Sequence, residues 1–183
     1  MDNLAFIRNT MEAAGSFTAV SGWGMVAIGV LAIAVATAAS MAPTETGALS
    51  LWLAAAVLSP LLMIWAMIRK ARAAKMPLLS GPGRKFVLSF SPPMAVGALL
   101  TFVLYRAGMI DLIPGVWLLL YGTAVVAGGA FSVKIVPVMG LCFMAAGVVA
   151  VFSPVSWNDW ILGAAFGGLH IAFGIPIARS HGG

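Results

Sequence analysis

The charges of this 183-residue chain are few and so placed that they leave six long uncharged intervals, residues 13–44, 46–68, 86–105, 112–133, 135–158 and 160–178. An α-helix needs roughly 20 apolar residues to cross ~30 Å of hydrocarbon, because each residue rises about 1.5 Å. Each interval is long enough to cross once, and none is long enough to cross twice. The runs are continuously apolar instead of alternating with period two, which excludes the strands of a membrane barrel; helices are the other way to satisfy a backbone in lipid. The sequence therefore predicts an all-α polytopic membrane protein with six transmembrane helices, at about 21–40, 49–68, 87–106, 114–132, 135–152 and 160–178.

Composition agrees: 62% of the residues are hydrophobic and 8% are charged, against about 25% charged in soluble domains. The longest polar stretch, 69–85, contains Pro77, Gly81, Pro82 and Gly83 and reads as a linker. The whole chain, 1–183, is thus expected to form a single membrane domain. An A-x-A-like pattern lies within 35–40, downstream of Arg8, but Asp2 and Glu12 in the leader and the length of the apolar run argue against a cleaved signal peptide.

In a six-span topology, Arg8, Arg69, Lys70, Arg72, Lys75, Arg84, Lys85, Lys134 and Arg179 share one side and Arg106 alone occupies the other. Positive charge stays on the cytoplasmic side, so both termini are expected there. Arg69, Lys70, Arg72, Lys75, Arg84 and Lys85 form a basic membrane-surface cluster suited to anionic lipid headgroups. The net charge of +5 is then a matter of topology; no basic stretch interleaved with aromatics suggests nucleic acid.

Ahead of the first span, Leu4, Ile7, Met11 and Ala14 recur at helical spacing, Asp2 or Asn3 can cap, and Arg8 and Glu12 form an i, i+4 pair. This predicts a short interfacial amphipathic helix over 1–15. Trp52, Trp117, Trp157 and Trp160 fall at the expected outer ends of spans, and Trp23 and Trp65 near the inner ends, so all six tryptophans read as interface anchors. The expected arrangement is three hairpins, 1–2, 3–4 and 5–6, the last two each opened by a proline-containing helix start, at Pro93 and Pro137.

The sixth span carries two signals. Gly163, Gly167, His170 and Gly174 are spaced by four, three and four residues, which places them on one face, and small residues there admit a close neighbour. His170 is an ionisable group near mid-span, and such groups are costly to bury and default functional candidates. Tyr121 and Ser59 fall near the middles of the fourth and second spans, so His170, Tyr121 and Ser59 make a candidate midplane polar site, with Cys142 nearer the inner side. The simpler reading of His170 is a neutral imidazole that hydrogen-bonds across helices.

Other chemistry is sparse. The sequence has no HExxH, Walker A or CxxC motif and no pair of carboxylates within a span, so no catalytic residue, metal site or cofactor is assigned. Ser80-Gly81-Pro82-Gly83-Arg84-Lys85 lacks phosphate-loop spacing and reads as a turn.

The segment Phe6 to Glu12, the following Gly15-Ser16-Phe17-Thr18-Ala19-Val20 with Gly22-Trp23-Gly24, and the closing Gly168-Leu169-His170-Ile171 with Phe173-Gly174 resemble an uncharacterised family of small bacterial six-helix membrane proteins. More weakly, the run 147–154, with Trp157 and Ile161-Leu162-Gly163, is similar to the three-hairpin acid-resistance membrane proteins of bacteria. Both resemblances imply the bacterial inner membrane. The first lends no activity.

Three roles follow as expectations: a non-enzymatic structural, stress-related or accessory subunit, alone as a homo-oligomer or within a larger complex; a small oligomeric transporter or channel using His170; or a haem or pigment holder through His170. The first is preferred because the spans are dry. Topology is directly testable: a reporter fused after Gly183 is expected to be active only in its cytoplasmic form, and activity of an externally folded reporter at that position would reverse the orientation.

Overall fold

The computed structural model describes residues 20–73 and 81–181. The helix expected over 1–15, and Lys75, lie outside the described residues. Helices account for the architecture: α1 (Gly22–Ser40), α2 (Glu45–Ala73), α3 (Gly81–Arg106), α4 (Ile113–Gly129) and α5 (Ile135–Phe152), then a sixth rod made of α6 (Asn158–Leu162), a π-helical stretch Gly163–Leu169 and α7 (His170–His181). Short 3₁₀ turns, Ile110–Leu112 and Val155–Trp157, precede α4 and α6. Six of these rods are long and apolar enough to cross a membrane. No strand occurs among the described residues.

Local chemistry explains the ends. Ser21 is extended and its hydroxyl accepts from the Gly24 amide, capping α1. Thr44 does the same for α2 through the Gly47 amide, and Glu45 in the first turn with Lys70 and Arg72 in the last complements the helix dipole. α3 stops in a Schellman turn: Gly108 adopts φ 71°, its amide reaches the Tyr105 carbonyl, and Met109 reaches Leu104. α2 and α3 overrun the expected spans at the basic end, because hydrogen-bonded helix continues past the apolar stretch through residues carrying Lys and Arg.

The core follows a seven-residue repeat. Buried positions in α1 include Gly22, Met25, Gly29, Ala32, Ala36 and Ala39; in α4 they include Gly115, Leu118, Gly122, Val125 and Gly129. In α5 they include Val136, Gly140, Phe143, Gly147 and Ala150, and in the sixth rod Gly163, Gly167, His170, Gly174 and Ile177. In α1, α4 and α5 an alternation of three and four keeps one seam facing its partner along the helix, the pattern of left-handed packing.

Glycines on that seam bring two helix pairs into backbone contact. Between α4 and α5, a Cβ on Gly122 would stand 2.7 Å from the Gly140 carbonyl oxygen, and one on Gly147 2.8 Å from the Leu119 nitrogen. Between α1 and the sixth rod, a Cβ on Gly29 would meet the Gly167 carbonyl oxygen at 2.7 Å, and one on Gly22 would run into the Ala178 backbone. Two three-helix units result. One joins α1, α2 and the sixth rod, with α2 laid on α1 so that Gly24 faces Ala66; the other joins α3, α4 and α5, with Gly128 of α4 facing Phe86 and Phe90 of α3.

The expected hairpins thus need a supplement. α1 packs with α2 and α3 with α4, but the most intimate approaches join α4 to α5 and α1 to the sixth rod. The outer helices are sparsely covered: 11% of the apolar window of α2 or α3 is buried, against 44% for α1 and the sixth rod. Gly22→Val is expected to lower the thermal midpoint in detergent strongly, beyond the 1–3 kcal/mol typical of overpacking, because it meets backbone. Gly168→Ala, where a Cβ meets nothing within 4 Å, should leave that midpoint almost unchanged; equal effects would contradict the packing.

Candidate functional site

Between the two units the packing changes character, from glycine contacts to large aromatic rings. Phe143 of α5 is 0% exposed and stands at the centre of the seam. Its ring centroid lies 4.8 Å from that of Tyr121 on α4, 5.3 Å from Phe166 and 5.3 Å from His170 on the sixth rod. Tyr121 also meets Phe166 edge-on at 5.1 Å, and the stack continues outward to Phe90 at 6.1 Å and Phe86 beyond. Such tilted and edge-to-face pairs are the favoured aromatic geometries.

His170 sits in this cluster at 2% exposure, with both ring nitrogens engaged. Nδ1 lies 2.7 Å from the Phe166 carbonyl oxygen and Nε2 lies 2.8 Å from the Tyr121 hydroxyl. A carbonyl can only accept, so Nδ1 carries the proton and donates to it. Nε2 then offers its lone pair, and the Tyr121 hydroxyl donates to that nitrogen. With both nitrogens partnered in this way, a neutral imidazole in one fixed tautomer satisfies every contact.

The π-helical stretch explains how His170 reaches across. Bonding of the i→i+5 type places more residues in each turn than an α-helix does, so it offsets the face presented by α7 from that presented by α6. Gly163, Gly167 and Gly174 all face α1, where Ala36, Ile33 and the Gly22 carbonyl fill the space a side chain would need. The imidazole instead departs toward α4 and α5. Expecting the three glycines and the histidine to serve one neighbour therefore needs correction: one rod serves both units.

Of the three residues expected at mid-span, the structure brings Tyr121 and His170 together. Ser59 is half-buried in α2 beside Pro60, and takes no part in the pair, whose ring nitrogens are already occupied. Cys142 is half-buried on α5. Phe143, Phe166 and Phe90 were not distinguishable in the sequence from other apolar span residues, though Phe166 lies one helical turn before His170 and Phe143 lies on the seven-residue seam.

The tryptophans divide. Trp23, Trp65, Trp157 and Trp160 are exposed, as anchors should be. Trp52 is 5% exposed, and its indole N–H donates to the Asp159 carboxylate at 2.7 Å. Trp117 donates to the Thr101 hydroxyl at 2.7 Å, tying α4 to α3. These two are corrected from interface anchors to interhelical ties, because a ring at the end of a span can turn inward wherever a neighbouring helix offers an acceptor to its N–H. At the same end Asn158 donates to the Asp111 carbonyl, linking the two units.

Of the basic cluster, Arg69, Arg72, Arg84 and Lys85 are exposed, with the Arg69 guanidinium 4.9 Å over the Trp65 ring. Lys70 instead turns inward and donates to the Val20 carbonyl at 2.9 Å, joining α2 to the start of α1. Among the described residues no three of His, Cys, Asp and Glu converge as a metal site would require.

Fold and site together define an all-helical, multi-pass membrane protein with two glycine-packed units joined by an aromatic seam. No family model, curated protein or solved structure matches the chain. In a double-mutant cycle of Tyr121→Phe and His170→Leu, measured by reversible unfolding in detergent, the coupling is expected to be about 1 kcal/mol, within the range of membrane hydrogen bonds. A coupling indistinguishable from zero would remove the hydrogen bond as a tie between units.

Proposed function

We propose that this protein is a non-enzymatic structural, stress-related or accessory component of the bacterial inner membrane, with both termini in the cytoplasm and its basic end against anionic headgroups. The observation that supports this reading is the engagement of His170. Its two nitrogens are satisfied within a packed aromatic seam, so the one imidazole within a span serves cohesion between helices. The basic end follows the positive-inside rule, and the resemblance of both chain ends to small bacterial membrane proteins of unassigned activity points the same way.

Transport is the second reading, favoured by one feature: two separately packed units meet at a polar pair, as the halves of many transporters do. The haem reading fares worse. Axial ligation through Nε2 would require Tyr121 to leave, and ligation through Nδ1 would free the Phe166 carbonyl within the seam.

Purification from native membranes in several mild detergents is expected to recover the chain with a stoichiometric partner or as a defined homo-oligomer; a monodisperse, partner-free monomer in all of them would overturn the structural reading. In proteoliposomes, ion and proton leak should match empty vesicles. A leak that His170→Ala or Tyr121→Phe abolishes would replace it with the transport reading.

A further inference from the structure

We infer that the basic end holds a defined site for one anionic phospholipid on the second unit, between the start of α3 and the α4–α5 turn, with Lys85 and Lys134 gripping the phosphate. This deepens the proposal that the basic end lies against anionic headgroups, and rests on it.

Three observations place the site. Lys85 opens α3 with its ammonium 5.9 Å over the ring of Phe131, which belongs to the α4–α5 turn. Lys134, three residues further along that turn, is exposed at the start of α5, and Arg84 is exposed beside Lys85. These cations have no anionic partner among the described residues, whose carboxylates Glu45, Asp111 and Asp159 all stand at the opposite end of the helices. The turn itself presents little competing negative charge, because the carbonyls of Val126, Gly128 and Gly129 that end α4 accept from the Ala130, Phe131 and Ser132 amides. α3 and α5 both begin at this end, so their dipoles add to the positive field.

The shape selects a lipid over a soluble anion. One helical turn below Arg84 and Lys85, on the same face of α3, Leu88 is 59% exposed, with Val87 beside it. A ligand held by its phosphate at Lys85 and Lys134 would therefore lay its remainder along an apolar wall. A phospholipid has that polarity profile; inorganic phosphate leaves the wall unused. Of the other basic residues, Lys70 is held by the Val20 carbonyl and Arg69 lies over the face of Trp65, both on the first unit.

Native mass spectrometry of the full chain in detergent, with phosphatidylglycerol or phosphatidylcholine of matched acyl chains, tests the site. Wild type should retain phosphatidylglycerol preferentially, and Lys85→Gln/Lys134→Gln should weaken that retention roughly twenty-five-fold, about fivefold per lysine. Lys85→Arg/Lys134→Arg should restore it. Arg69→Gln/Arg72→Gln should stay close to wild type. Equal losses in the two glutamine doubles, or no loss in the first, would overturn the site and leave the general headgroup reading standing. No preference for phosphatidylglycerol in wild type would overturn both. Displacement of the lipid by millimolar inorganic phosphate would mark a soluble-anion site and also refute the proposal. Should the double variant not yield a monodisperse particle, Lys85→Gln alone, read against its expected fivefold loss, decides.

Discussion

Lipid offers no hydrophobic drive between helices, since a tail is as apolar as a leucine, and this protein meets that constraint with glycine. Where Gly122 opposes Gly140 and Gly29 opposes Gly167, backbones approach until a single added carbon would collide. Close approach multiplies dispersion contacts that are individually small. Both glycine seams keep a seven-residue period, so the contact persists along the helices instead of ending at one crossing. Everything else is arranged around these two pairs: α2 and α3 are laid on their outsides, and bulky rings fill the gap left between them.

That division of labour gives the seam its properties. Within a unit, a backbone contact is intolerant of any side chain. Between units, Tyr121, Phe143, Phe166 and His170 meet through rings and one hydrogen bond to Nε2. The His170 imidazole also bonds to a carbonyl of its own rod, so orientation and tautomer are set locally before Tyr121 is engaged. The π-helical stretch makes this possible by letting the sixth rod show glycine to α1 and a ring to α4 and α5.

The six helices were legible from the charges alone, because each interval between them is a length and lengths in a bilayer are nearly a code. The meeting of Tyr121 with His170 was legible in outline, as two polar groups near mid-depth. The seven-residue rows at Gly22, Gly29 and Ala36, or Gly115, Gly122 and Gly129, were written in the sequence too, but only the compact Gly163-to-Gly167 spacing stood out against an alanine- and glycine-rich background. The roles of Trp52 and Trp117 were not legible. Whether an indole at a span end faces headgroups or an interhelical acceptor depends on what the neighbouring helix brings to it, here Asp159 and Thr101. The π-helical stretch left no signal beyond the glycines and alanines that tolerate it.

The pairing of α1 with the sixth rod has a consequence for how the protein is made. The glycine row of α1 leaves the ribosome well before its partner row, which ends at Gly174 and emerges about 150 residues later, on the order of ten seconds at ordinary synthesis rates. For that interval α1 presents to lipid a groove shaped for a helix that does not yet exist. The α4–α5 pair, adjacent in the chain, has no such delay. The second unit can therefore be complete while the first is still open, waiting for the sixth rod to close it.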